Sequence, residues 1–274
     1  MKKYLFAFAA CYLLLSCRHE HQDESIEDPY EIPCGCTDEW SDEAPICRND
    51  MVWDYPVKPG TEEWEQLQTV KERIDICQIP ENLLSSLSTD DLTGISMQYP
   101  LMSFDLFFYR PHDNGLDTLI KKFNGVRELL LREDASKSLL KWYDCAIQNL
   151  SFLHGDASVS TKGDYILKIA AASLLLSRCL LQDDANKEHC MEIVQHLVCG
   201  YEKMVIDYTE FFGYFSNSMS YAANCYTRIK IIIKIDEHSL VKIPQGFSNI
   251  LFINAELDDQ TRCSVDELSC QFIN

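Results

Sequence analysis

Apolar residues recur at helical spacing from Thr61 to the end of the chain, and that period predicts a succession of helices. Thr61, Glu63 and Trp64 open one predicted to carry Trp64, Leu67, Val70, Ile74 and Cys77 on a single face. Pro80 opens a short one through Leu83, Leu84 and Leu87. Ser88-Thr89-Asp90-Asp91 is an N-cap cluster, since such side chains accept from the unpaired first amides of a helix. The helix it starts is predicted to stop near Tyr99-Pro100, because the residue before proline avoids helical geometry. Leu101 to Tyr109 is a further short apolar piece. Asn114-Gly115 begins a helix through Leu116, Leu119, Phe123, Val126 and Leu130, and Asp134 caps the next, with Leu139, Leu140, Tyr143, Ile147 and Leu150 on its face. Asp183-Asp184 caps a helix predicted to run to about Tyr208, and Thr209-Glu210 starts another through Phe211, Phe215, Cys225 and Ile229. Asp258-Asp259 caps a last helix carrying Val265, Leu268 and Phe272.

Tyr165 to Leu181 is apolar on nearly every side. A membrane span needs about 20 apolar residues with few charges. This run is shorter and holds Lys168 and Arg178, so it reads as a helix enclosed by a protein core. Ile231-Ile232-Ile233 and Ile250 to Ile253 fit strands or helix ends equally well, around a turn at Pro244-Gln245-Gly246. The pattern predicts an all-α fold, either stacked helical hairpins or an irregular helical bundle. No repeat period emerges.

Upstream of Thr61 the periodicity fails. Residues 29–60 carry Pro33, Gly35, Pro45, Pro56, Pro59 and Gly60, and read as an irregular segment held to the body through Trp40, Trp53 and Tyr55. Residues 17–28 hold Glu20, Asp23, Glu24, Glu27 and Asp28 with too little apolar surface to fold, and read as a solvated tether. Residues 1–16 have a positive start at Lys2-Lys3 and an apolar run from Leu5 to Leu15, the order of a secretory signal peptide. Residues 61–274 form the helical domain.

Leu14-Leu15-Ser16-Cys17 resembles the lipobox of bacterial lipoproteins. The resemblance implies cleavage between Ser16 and Cys17 and acyl chains on Cys17, each buried methylene contributing about 0.8 kcal/mol to anchoring. Gln22-Asp23-Glu24 resembles the acidic surface-export signal of lipoproteins in Bacteroides and relatives. Asp117-Thr118-Leu119 is similar to the short O-glycosylation pattern of Bacteroides envelope proteins, which makes Thr118 a candidate acceptor. Val52 to Trp64, Cys77-Gln78-Ile79-Pro80, Phe123 to Leu129, Arg132 to Ala135 and Ile243 to Gly246 resemble a group of uncharacterised lipoproteins of gut Bacteroides. That resemblance implies a lipid-anchored place at the bacterial outer membrane and no particular activity.

Net charge is −19, and loss of Lys2 and Lys3 with the signal makes it more negative. Such a surface repels nucleic-acid phosphates and anionic headgroups, so no nucleic-acid partner is expected and attachment to the membrane is left to the lipid. Thirteen cysteines are present. Removing Cys11 with the signal and Cys17 to the lipid leaves an odd number, which cannot all pair within one chain. Cys77, Cys145, Cys179, Cys190 and Cys225 sit in apolar helical patterns and read as small packing groups. Cys34, Cys36 and Cys47 lie in the irregular segment, and a disulfide from Cys47 to one of the other two is the expected pairing.

Catalytic and metal signatures are harder to find. His196 and Cys199 are three apart on a predicted helix, with His189 two turns earlier. The apolar arc of Ile193, Val194, Leu197, Tyr201 and Met204 turns the histidines toward solvent, and zinc needs three or four ligands, so no metal or cofactor is expected. There is no nucleophile elbow, papain-like cysteine motif or dinucleotide fingerprint. The aromatic runs Phe104 to Tyr109 and Phe211 to Phe215 read first as core and second as the lining of a groove for a peptide or partner protein. The expected function is a lipid-anchored, non-enzymatic binding or scaffold module whose partner is an unidentified envelope protein or peptide. Alternatives are an envelope hydrolase with a site assembled from distant residues and an immune-facing surface antigen. Replacing Cys17→Ala is expected to abolish metabolic palmitate labelling and to release the protein from membranes; labelling that persists would sink the anchor.

Overall fold

A computed structural model describes residues 53–107, 112–156, 158–182, 186–207, 219–236 and 259–274. These lie in one compact unit, Ile32–Asn274. The fold is all-α, with helices α1 (Glu62–Gln66), α2 (Val70–Ile76), α3 (Glu81–Leu84), α4 (Thr89–Met97), α5 (Met102–Phe107), α6 (His112–Lys122), α7 (Asn124–Leu129), α8 (Ala135–Gln148), α9 (Val159–Gln182), α10 (Lys187–Asp207), α11 (Met219–Ile235) and α12 (Asp259–Ile273). A 3-10 turn, Leu150–His154, links α8 to α9, and no strand occurs among the described residues. Ile231-Ile232-Ile233 is accordingly helical, within α11.

Two predicted helices are each broken in two, for separate reasons. Thr69 divides the first. Its hydroxyl accepts from the Glu72 amide at 3.2 Å while the Glu72 carboxylate accepts from the Thr69 amide at 3.0 Å, a capping box that restarts the helix as α2. Phe123 divides the second, in extended geometry between α6 and α7. The next residue, Asn124, is occupied elsewhere: its side chain accepts from the Ile79 amide at 3.0 Å and donates to the Ile79 carbonyl at 2.7 Å. Its own amide donates to the Gln78 side chain. The turn before α3 is thereby fastened to the start of α7, at the expense of helix continuity.

Two predicted caps also shift. Asp134 makes no capping bond; its carboxylate accepts from the Thr89 hydroxyl at 2.7 Å and so joins α4 to the start of α8. The start of α10 is capped by Asn186, whose side chain accepts from the His189 amide at 2.8 Å. Asp183, Asp184, residues 208–218 and Ile250 to Ile253 lie outside the described residues.

Helix α9 organises the rest. Ile166, Ile169, Ala170, Ala171, Ala172, Leu174, Leu175, Leu176, Cys179 and Leu180 are all buried, which covers every direction around its axis. It packs against α11, α8, α5 and α4. The two cations within its apolar run turn to its rim, where Lys168 pairs with Asp164 at 2.8 Å and Arg178 with Asp117 at 2.7 Å. No helix among the described residues is long and apolar enough to cross a membrane.

Helices α8, α9, α11 and α10 form a closed ring of four, each packed on the next, and α12 packs against α10 and α11. Helices α4 to α7 cover the α8–α9 side. This is an irregular bundle in preference to stacked hairpins. Buried polar bonds fix the ring's register: the Thr227 hydroxyl donates to the Ser173 carbonyl at 2.8 Å, and the Asn224 side-chain Nδ2 to the Leu197 carbonyl at 3.0 Å. The chain before α1 belongs to the same core. Tyr55 is buried and its hydroxyl donates to the Ile95 carbonyl at 2.9 Å, with Trp53 edge-on to its ring. Gly60, at φ 88°, makes the left-handed turn into α1.

Arg228 is fully buried on α11. Its guanidinium donates to Asp266 at 2.8 Å and to Ser269 at 3.1 Å, both on α12, so one charge pair docks the last helix. Removing one member of a buried pair strands the other charge. Asp266→Ala is therefore expected to cost about 3–5 kcal/mol in urea unfolding followed by helical circular dichroism. The double change Arg228→Met with Asp266→Leu is expected to lose much less, and an unaffected single variant would show that α12 does not depend on the pair.

Candidate functional site

An open groove of about 420 Å³ runs between α8 and α10. The two helices are parallel neighbours, since Ser136 meets His189 near their starts and Asp144 meets His196 two turns on. They approach closely at Gly200, where a Cβ would stand 2.5 Å from the Tyr143 hydroxyl. Lys137, Leu140, Lys141, Asp144 and Cys145 line one wall, and His189, Glu192 and His196 the other.

Both histidines face this groove and are paired across it. His189 is closer to buried than exposed: its Nε2 lies 3.0 Å from the Ser136 hydroxyl and its Nδ1 2.9 Å from Glu192. His196 Nδ1 lies 2.9 Å from Asp144. The apolar arc of α10 had pointed both rings toward solvent; the polar residues of α8 draw them inward instead. The Asp144 hydrogen bond holds the His196 imidazole above its ordinary pKa, against burial, which lowers it, with the charges of Asp144 and Glu192 adding to the rise. From α4, Asp90 takes bonds from Lys141 and from the Ser138 hydroxyl, and these hold its carboxyl below the usual range.

Ser136, His189 and Glu192 have the connectivity of an acyl-transfer triad. Their burial is inverted. Ser136 is 5% exposed and the Glu192 side chain 55%, whereas a nucleophile must reach substrate and the orienting carboxylate works best away from water. The arrangement serves as a clasp between α8 and α10.

Among the described residues, no group of three or more His, Cys, Asp or Glu is placed to hold a metal ion. Cys199 is also committed elsewhere, because Cys145, Cys199 and Cys270 are all disulfide-bonded. For Cys145 this corrects the packing role read from its helical pattern. The stripe Leu139, Leu140, Tyr143 and Ile147 points one way and Cys145 nearly the opposite way at about 100° per residue, a signal that was present in the sequence. Cys77, Cys179, Cys190 and Cys225 are buried thiols, as expected of packing groups. Burial pushes the Cys77 thiol up to about 12, far from reactive thiolate.

Other candidates fall as follows. Thr118 lies on α6 with its hydroxyl donated to the Asn114 carbonyl at 2.7 Å. Of the first aromatic run, Phe104 is partly exposed beneath the Lys122 ammonium while Asp105 and Leu106 are buried. Ser16, Cys17, Gln22, Asp23, Glu24, Cys34, Cys36, Cys47 and Phe211 to Phe215 lie outside the described residues. Ser136, Asp144 and Glu192 carried no sequence signal, because each became notable only when α8 and α10 were brought side by side. No protein-family model, curated protein or solved structure matches the chain.

The His196–Asp144 pair gives a pH test. The folded pKa of His196 is raised above the unfolded value of about 6.5, so the pair's stabilisation is complete below that value and is lost as pH rises through the folded pKa. By NMR titration His196 is expected to protonate at higher pH in the native protein than in Asp144→Asn. Raising pH from about 6 to about 9 is expected to lower the native urea midpoint more than that of the variant. Equal titration midpoints would contradict the assigned cause.

Proposed function

We propose that the protein is a lipid-anchored envelope protein, held at the bacterial outer membrane by acyl chains on Cys17, whose helical body is a non-enzymatic binding or scaffold module for an envelope protein or peptide. The observation that carries this reading is the disulfide state of Cys145, Cys199 and Cys270. Stable disulfides belong to oxidising compartments and are rare in the cytosol. The lipobox-like Cys17 and the acidic tether behind it agree with a body exported and held off a bilayer. The groove agrees with the non-enzymatic part, since its cysteine is oxidised and its histidines are spent on helix-to-helix bonds. The export-like residues Gln22-Asp23-Glu24 favour the outer face of the cell.

One observation favours a second reading, a serine hydrolase: the Ser136–His189–Glu192 chain of hydrogen bonds. The burial of Ser136 weighs against it. A single preparation separates the two. Intact cells are treated with a thiol-blocking maleimide, their membranes are isolated, and the protein is exposed to a fluorophosphonate probe. The lipoprotein reading expects recovery with the outer membrane, Cys145, Cys199 and Cys270 unmodified until reduction, and no probe on Ser136. Probe on Ser136 that Ser136→Ala removes would establish the hydrolase. Recovery from the cytosol with those three thiols blocked would overturn the envelope placement.

A further inference from the structure

We draw no further inference here: the strongest candidate, the groove between α8 and α10 lined by Lys137, Lys141, His189 and His196, carries nothing, because among the described residues nothing shows what occupies or covers it.

Discussion

The structure depends on enclosing one helix. Helix α9 is apolar around its whole circumference, and leaving such a surface in water costs about 25 cal/mol for each Å². A helix with one apolar stripe needs a single neighbour, whereas α9 needs neighbours on all sides. It obtains them from α11, α8, α5 and α4. The ring α8–α9–α11–α10 follows from that demand, since α8 and α11 must both touch α9 and α10 closes the gap between them. The remaining polar contacts set register more than they drive association: Thr227 to Ser173, Asn224 to Leu197, and Arg228 to Asp266. Each satisfies a group that burial would otherwise leave costly.

The groove is a consequence of the same ring. Two parallel helices are brought close at Gly200 and Tyr143, and residues along their shared polar edge meet as side-chain pairs. Their chemistry resembles that of a catalytic site because histidine, serine and carboxylate are also what fastens helix edges. Burial weighs toward the clasp, since Ser136 is sealed away from solvent and Cys145 is oxidised.

Much of the fold was legible because periodicity is a local property. The enclosed character of Tyr165 to Leu181, the cap at Ser88, the helix opened by Pro80 and the last helix through Val265, Leu268 and Phe272 all follow from spacing within one segment. The breaks at Thr69 and Phe123 were partly hidden. Thr69 with Glu72 is a readable capping box that the continuing apolar period masked. Asn124 breaks its helix for a partner forty-five residues away, which no local pattern reveals. The site was hardest to see, since Ser136, Asp144, His189 and His196 acquire meaning only in pairs across α8 and α10. Cysteine lay between these cases. The odd count was visible, as was the position of Cys145 off its apolar stripe, but which helical cysteines are oxidised depends on what approaches them.

On the proposed reading, anchor, tether and oxidised body belong to a protein of the far side of a membrane. The disulfide-bonded state of Cys145, Cys199 and Cys270 supports an oxidising compartment, and the acidic surface would leave attachment to the lipid. The most direct measurement is the intact mass of the protein extracted from native membranes, before and after reduction. A chain beginning at Cys17, carrying the mass of its acyl groups and gaining hydrogens on reduction, is the predicted result. A chain that still begins at Met1, bears no lipid and is unchanged by reduction would contradict it.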